Sequence, residues 1–289
     1  MKTFFLPLFL IPLTIFAQRD WSTAEITSSE AGPGVYRLFV DNRVSVLVQT
    51  GDDGVLVVDA AYAQTGEKLK AAIEKLSDKP IRYLINTHLH GDHTGENAII
   101  GQGAQIIAHP SVKEYLSKDQ VRGETTIPAP PVYASPDITL EGKMTLDFNG
   151  ESIEILHLPG GHTTGDLLVY FPEAKVIHVG DLLFAGYFPY VDVSNGGNPL
   201  VYIKNVAWIL ENYPDDITFI GGHGPAFSKN QMREHLSALN ETIEIVKNAK
   251  ATGKTAEQMK DSRILKQWES FGAFFITEDI WIDTLYPFL

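Results

Sequence analysis

The 289-residue sequence has no cysteine. That excludes a disulfide framework, a thiolate nucleophile and any sulfur ligand, so stability must come from the core and chemistry from nitrogen and oxygen. Positive charge is also scarce. Twenty-three lysines and arginines stand against 36 aspartates and glutamates, a net charge of −13, and no basic run interrupts the balance. A nucleic acid or an anionic membrane surface needs a positive face to displace counterions, so neither is expected as a partner. There is no G-x-S-x-G turn to expose a serine nucleophile. Beyond the N-terminus no segment is apolar enough to span a bilayer.

The exception at the N-terminus is "MKTFFLPLFLIPLTIFAQ". Lys2 is a short basic start, Phe4 to Phe16 is apolar, and Ala17 is a suitable last residue before cleavage, although Ile15 sits where a small residue is usual. Pro7 and Pro12 interrupt the run, which is too short for a span. Residues 1–17 therefore read as a signal peptide, and the mature chain 18–289 as an exported, periplasmic or secreted protein with no membrane contact after cleavage. With 44% hydrophobic residues it can bury a large core, and its length suits one large domain.

Apolar runs at "GVYRLFV", "VSVLVQT" and "GVLVVDA", separated by Asp-Asn and Gly-Asp-Asp-Gly turns, predict consecutive antiparallel strands. Leu69, Ile73 and Leu76 fall at helical spacing and Pro80 closes that helix. "IRYLIN" and "AQIIAHP" predict buried strands, and residues 124–136 a proline-rich surface loop. A second meander is expected from "ITLEG", "MTLDFNG" and "ESIEILHLPG", followed by "DLLVYFP" and "AKVIHVGD". A helix at 199–213, a strand at "DITFIGG" and a long helix from about Ser228 to Lys250 complete the core. The tail, about 251–289, reads as helical and packed back on the body. A strand meander followed by strand–helix alternation, twice over, predicts an α/β (α+β) chain built as a four-layered αβ/βα sandwich: two mixed sheets face to face with helices outside.

Against that scaffold stands "INTHLHGDHTGENA", residues 85 to 98. It spends three of the nine histidines, His88, His90 and His93, with Asp92 among them, directly after an apolar strand. Three further positions share that setting of strand end and glycine: His162 in "HLPGGHTTGD", Asp181 in "VIHVGDLLF" and His223 in "TFIGGHGPA". Five imidazoles and two carboxylates without sulfur suit zinc, with iron or manganese as weaker alternatives. Seven ligands are too many for one tetrahedral ion. Two ions sharing a carboxylate would use all of them.

These motifs resemble the metallo-β-lactamase superfamily over nearly the whole mature chain. Asp59 in "VVDA", the H-x-H-x-D-H run, His162, Asp181 and His223 occur in the family's order. The resemblance implies that His88, His90 and His162 hold a first Zn2+, that Asp92, His93 and His223 hold a second, and that Asp181 bridges them. It also implies that Asp59 orients a ligand loop. The expected enzyme is a dinuclear zinc hydrolase in which a hydroxide between two ions about 3.5–4 Å apart opens a carbonyl substrate. Asp92 and Asp181 are its expected catalytic carboxylates.

The oxygen-reducing branch carries glutamate at the position of His90, and nucleases need positive surface, so both are disfavoured. Established β-lactamases usually have cysteine or serine near the position of Asp181. The aspartate resembles the thioesterases of the glyoxalase II kind and the lactonases, together with exported lactamase-like hydrolases. An ester, thioester or lactam is the expected small-molecule substrate. The alternatives are a phosphodiesterase on the same fold or a non-catalytic ligand- or metal-binding protein. His109, His157, His178 and His235 read as structural, and Asp166 as a loop brace. In the stretch 184–199, Tyr187, Phe188, Tyr190 and Asn195 are expected to wall an apolar substrate pocket.

Overall fold

The computed structural model describes residues 20–123 and 125–289, and the expected signal peptide at 1–17 lies outside the described residues. The first sheet contains β1 (Ile26–Gly32), β2 (Val35–Val40), β3 (Val44–Gly51), β4 (Gly54–Val58), β5 (Ile81–Ile85) and β6 (Gln105–Ala108). A separate hairpin of β7 (Gln120–Arg122) and β8 (Thr125–Ile127) follows, and β9 (Ile138–Thr139) then returns to the first sheet beside β6. The second sheet contains β10 (Lys143–Phe148), β11 (Glu151–His157), β12 (Leu167–Phe171), β13 (Val176–His178), β14 (Thr218–Ile220) and β15 (Phe227–Ser228). Each sheet is mixed. In the first, β1 to β4 pair antiparallel, then β5, β6 and β9 join parallel. In the second, only β13 and β14 run parallel.

The layering follows from which side of each pleat is apolar. Leu47, Leu56, Val58, Ile85 and Ile107 from one sheet meet Ile153, Ile155, Leu167, Val169 and Val176 from the other in one buried cluster. The alternate residues Val46, Val48, Val55, Val57 and Leu84 face outward. They are covered by Leu69 and Ile73 of α1 (Gly66–Glu74) and, beyond α2 (Gly91–Thr94), by Ile100 of α3 (Asn97–Ile100). Period-2 alternation buried on both faces is what sheets covered by helices require. After the short α4 (Pro110–Leu116), the other face of the second sheet is covered by α5 (Pro199–Asn212) and α6 (Lys229–Ala251), with the C-terminal helices α7 (Ala256–Asp261) and α8 (Glu278–Leu285). The chain is therefore an αβ/βα sandwich of mixed sheets.

Local chemistry fixes the boundaries. Ser228 and Gln231 form a reciprocal capping box at the start of α6, satisfying two donors that have no helical partner. Asn149 and Gly150, both left-handed at φ 52° and 82°, make the two-residue turn between β10 and β11, a conformation that Asn-Gly favours.

Three expectations need correction. β1, "ITSSEAG", was not expected as a strand, because it is a largely exposed edge held by pairing to β2 and carries no apolar alternation. The proline-rich stretch begins inside a hairpin, since β8 occupies 125–127. "ITLEG" opens no second meander; β9 pairs parallel with β6 and closes the first sheet instead. In the tail, α7 and α8 flank a 3-10 stretch, Lys266–Ala273, with Trp268 and Trp281 buried against the core.

His235 on α6 is buried among Phe227 and Phe271, and neither ring nitrogen has a hydrogen-bond partner among the described residues. Burial pushes its pKa down to about 4. The unfolded chain therefore takes up this proton below about pH 6.5 while the folded chain does not, and stability falls with pH between those values. At pH 5 this one group costs about 2 kcal/mol relative to pH 8. The variant H235M should lose correspondingly less stability between pH 8 and pH 5 in urea melts, and an identical acid dependence in both proteins would contradict this account.

Candidate metal centre

Five segments deliver side chains to one edge of the sandwich. β5 ends at Ile85 and hands the chain to His88 and His90, the N-cap of α2, while Asp92 and His93 lie on α2 itself. His162 sits in the loop after β11, Asp181 in the 3-10 turn after β13, and His223 in the loop after β14. All seven sequence-predicted ligands come together. One atom each from His88, His90, His162 and Asp181 falls within 4.8 Å of the others, as do atoms of Asp92, His93 and His223.

The hydrogen bonds behind each ring fix its tautomer. Thr87 Oγ1 donates to Asp59 Oδ2 at 2.8 Å, so its remaining contact, His88 Nδ1 at 3.0 Å, must be the donor to it. His93 Nδ1–H donates to Asp59 Oδ2 at 2.8 Å. His162 Nδ1–H donates to the carbonyl of Tyr190 at 2.8 Å, and His223 Nδ1–H to the carbonyl of Arg43 at 2.6 Å. His90 is turned the other way, with Nε2–H donating to Asp192 Oδ2 at 2.9 Å. In the neutral ring each nitrogen that is left carries a lone pair, one that a cation gains by displacing any proton held there, and these nitrogens point into a shared space. His88 Nε2 lies 3.0 Å and His162 Nε2 2.9 Å from His90 Nδ1.

Asp181 stands between the two groups. Oδ2 is 3.4 Å from both His162 Nε2 and His223 Nε2 and 3.7 Å from His88 Nε2, while Oδ1 is 3.2 Å from His93 Nε2. Asp181 is thus as near to His93 and His223 as it is to His88 and His162. Asp92 Oδ2 lies 3.4 Å from His223 Nε2 and 3.8 Å from His93 Nε2.

The electrostatics match. Burial alone would raise the Asp181 carboxyl, but His223, His93, His88 and His162 hold it well below the usual carboxylate range. Burial would lower His93, and Asp181, Asp59 and Asp92 overturn that and raise it well above the ordinary imidazole value. Burial keeps His88 low and pushes His162 down to about 4. His93 Nε2 and Asp181 Oδ1 are buried without a hydrogen-bond partner among the described residues. Buried polar atoms are rarely left in this way. Lone pairs that face one another, with a carboxylate among them, are a donor set for cations, and nitrogen with oxygen suits zinc.

Asp59 is the carboxylate that the sequence leads one to expect behind a ligand loop. It is fully buried in a left-handed conformation, φ 67°, and accepts Thr87 N on Oδ1 at 2.7 Å as well as the two donors on Oδ2. The hydrogen bonds hold a backbone conformation that costs on the order of 1 kcal/mol. Gly222 is required by close approach, since a Cβ there would collide with Asp181 Oδ1 and lie 2.9 Å from His93 Cε1. Asp166 accepts from His162 N and Thr163 N and braces the loop.

The aromatic stretch divides. Tyr190 and Asn195 line a cleft of about 1160 Å³ at the metal centre. Phe188 does not; it is buried in the core beside Trp281 and Phe271 because its side chain points away from the edge. Tyr187 is half-buried with its ring against Phe274, outside the larger cleft. Sequence reasoning missed Asp192, which holds His90, and Thr87, which holds His88. It also missed Tyr62 and Phe275, which line both this cleft and a second of about 590 Å³. A carboxylate near a histidine loop is the usual support for a ligand, but Asp192 is 102 positions from His90.

The sequence profile described as the metallo-beta-lactamase superfamily matches residues 38–223. The hydroxyacylglutathione hydrolase GloC of Haemophilus influenzae is 32% identical over 179 residues, 60% of this chain and 82% of that protein. A 2,4-dinitroanisole O-demethylase subunit alpha from a Nocardioides species is 27% identical over 149 residues, 50% of this chain; the match spans only 43% of that protein. Among solved structures, a metallo-beta-lactamase from Pontibacter korlensis superposes with a TM-score of 0.61 at 19% identity, covering 75% of this chain and 99% of its own.

Proposed function

The chain belongs to the metallo-β-lactamase superfamily and is a metal-dependent hydrolase, and from that premise we propose that it is a dinuclear zinc enzyme that opens an ester, thioester or lactam. The observation that carries the reading is that five imidazoles turn their remaining ring nitrogens to one site, four of them within 3.7 Å of Asp181, with every opposite ring nitrogen already committed to the protein. His88, His90 and His162 would hold one ion, Asp92, His93 and His223 the other, and Asp181 would serve both. Two divalent ions so held supply Lewis acidity, polarising a carbonyl and making water acidic enough to attack it near neutral pH.

The chain's own groups do the rest. Asp59 and Thr87 keep His93 and His88 in the ligating tautomer, and Asp192 does so for His90. Asp92 is the site carboxylate reached from both clefts, so a proton travelling from attacking water to departing group passes beside its Oδ2. Asp181 is nearly fully buried and keeps its charge as counter-charge to the ions. Aspartate at the shared position supports a thioesterase- or lactonase-like enzyme, with lactam opening as a slower side activity. Supporting a thioester in particular is the 32% identity to a hydroxyacylglutathione hydrolase. A signal peptide at 1–17 would place the enzyme outside the cytoplasm; no helix among the described residues is long and apolar enough to cross a membrane.

Purified mature protein should carry about two equivalents of zinc, and a chelator should abolish hydrolysis of esters and a chromogenic lactam, with zinc restoring it. A metal content near zero after zinc reconstitution would refute the assignment. Faster turnover of a phosphodiester than of any carbonyl substrate would move the enzyme to phosphoryl chemistry.

A further inference from the structure

The profile match ends at His223, yet the metal centre has a neighbour from far beyond it. The 3-10 stretch at Lys266–Ala273 runs into Phe274 and Phe275. Phe274 lies 5.4 Å, centroid to centroid, from His223 and 5.3 Å from Tyr187, and Phe275 lies 5.8 Å from Tyr190 and 6.2 Å from Phe184. The pair is held firmly from both sides. Phe271 accepts the backbone N–H of Phe188 at 2.9 Å before it, and buried Ile276 and Trp281 follow, with Trp281 Nε1 donating to Thr242 Oγ1 at 2.9 Å.

Neither phenyl ring is part of the hydrophobic core that takes in Trp268, Phe271, Ile276 and Trp281. Phe275 remains 47% exposed. A clamped segment that keeps two adjacent phenylalanine rings out of the core and beside the ligands sacrifices burial worth about 25 cal/mol per Å². Packing of the tail does not account for that placement.

The clefts tell what such rings would meet. The larger cleft, towards the β7–β8 hairpin, and the smaller one, towards the turn at Asp41–Arg43, share Tyr62, Asp92, His223 and Phe275. A molecule reacting at the centre thus has room for an arm on each side, and the smaller side is walled by Tyr62, Phe274 and Phe275. Charge is one-sided. The two cations lining these clefts are already paired, Arg43 with Asp41 at 3.2 Å and Lys118 with Glu114 at 2.8 Å. Asp119 and Asp192 add further negative charge to the larger cleft. Beyond the reach of the ions themselves, an anionic arm would find no unpaired lysine or arginine among the described lining residues and would meet carboxylates.

We propose that Phe274 and Phe275 form the specificity wall of this enzyme, and that its substrate is an uncharged carbonyl compound whose one arm is an aromatic or similarly bulky apolar group seated in the smaller cleft between Tyr62 and Phe275. The inference rests on the dinuclear-hydrolase reading for its chemistry, but the wall can be tested apart from turnover. Aromatic groups offset or edge-on to such rings gain specific contact beyond area, and a neutral arm avoids the acidic lining.

The test uses the zinc-loaded full mature chain and three esters with one leaving group: para-nitrophenyl acetate, phenylacetate and hemisuccinate. Alongside runs calorimetric titration with benzylacetone, a neutral aromatic ketone. The parent should prefer phenylacetate over acetate by about tenfold in kcat/KM, mostly through KM, with the anionic hemisuccinate poorest. F274A/F275A should bring the phenylacetate-to-acetate ratio close to one and weaken benzylacetone by about tenfold, while F275W keeps both. F274L/F275L, which retains bulk without rings, should show the same loss of preference and stands in if the alanine variant does not fold. A preference that survives both double variants, or hemisuccinate as the best ester, overturns the proposal. If no ester is hydrolysed but benzylacetone binding still depends on the two phenylalanines, the hydrolase reading fails and the wall stands.

Discussion

Replacing Asp181 by alanine is expected to take bound zinc from about two equivalents to at most one and to lower kcat for ester hydrolysis roughly a thousandfold. The size of the effect follows from position. One carboxylate lies within 3.7 Å of ring nitrogens from both ligand groups, at His88, His93, His162 and His223. Among the described residues no other carboxylate lies so close to the facing ring nitrogens of both groups. Without it the imidazoles remain, but two cations would then face each other with no charge between them, and the cost at such separation in a buried site is several kcal/mol. Folding should suffer less. Among the described residues the carboxylate makes no hydrogen bond to the backbone that would be orphaned, and the turn at Gly180–Leu182 is anchored by Gly222 N donating to Gly180 O at 2.7 Å. Metal analysis, kcat and a urea melt on the same preparation check all three. Two equivalents retained with activity within tenfold of the parent would show that Asp181 does not act between the ions.

Why the candidate ligands were legible and, Asp59 apart, their supports were not has a physical basis. A ligand needs a particular residue type at a strand end, and imidazole beside glycine at such an end is unusual enough to be seen in one dimension. The strands around them were legible for a related reason: Val55 to Val58 or Leu167 to Phe171 are buried on both faces, so the apolar run itself marks the element. A support needs only to be an acceptor at the right place, and many residues can be one. Asp192 looks like any loop aspartate, and the carbonyls of Tyr190 and Arg43, which fix His162 and His223, have no sequence signature at all. The edges failed for the converse reason. β1 and β9 are set by pairing with β2 and β6, and their own side chains say little. Phe188 was misplaced because period and composition cannot say which way a ring turns when the chain is neither strand nor helix.

The two supporting aspartates should therefore separate the two ligand groups when each is changed alone. Asp192 touches one ring only, His90, along with Ser194 Oγ and Asn195 of its own loop. Its backbone is ordinary, φ −82°, so alanine fits there. D192A should weaken the ion held by His88, His90 and His162 by about 10- to 100-fold and leave the other near its parent affinity. Asp59 reaches further. It fixes His93 directly and His88 through Thr87, one ring from each group. Because it sits at φ 67°, a conformation that asparagine adopts more readily than alanine, the informative variant is D59N. The amide keeps one acceptor and turns two donors toward either Thr87 N–H or the Thr87 hydroxyl and His93 Nδ1–H, so one set must break. D59N should weaken both ions by about 10- to 100-fold and cost about 2 kcal/mol in folding. Competition with a metal indicator, resolved into two binding steps, distinguishes the variants. If D192A depletes both ions as fully as D59N does, the rings are not held one by one as their hydrogen bonds indicate, and the two groups behave as a single site.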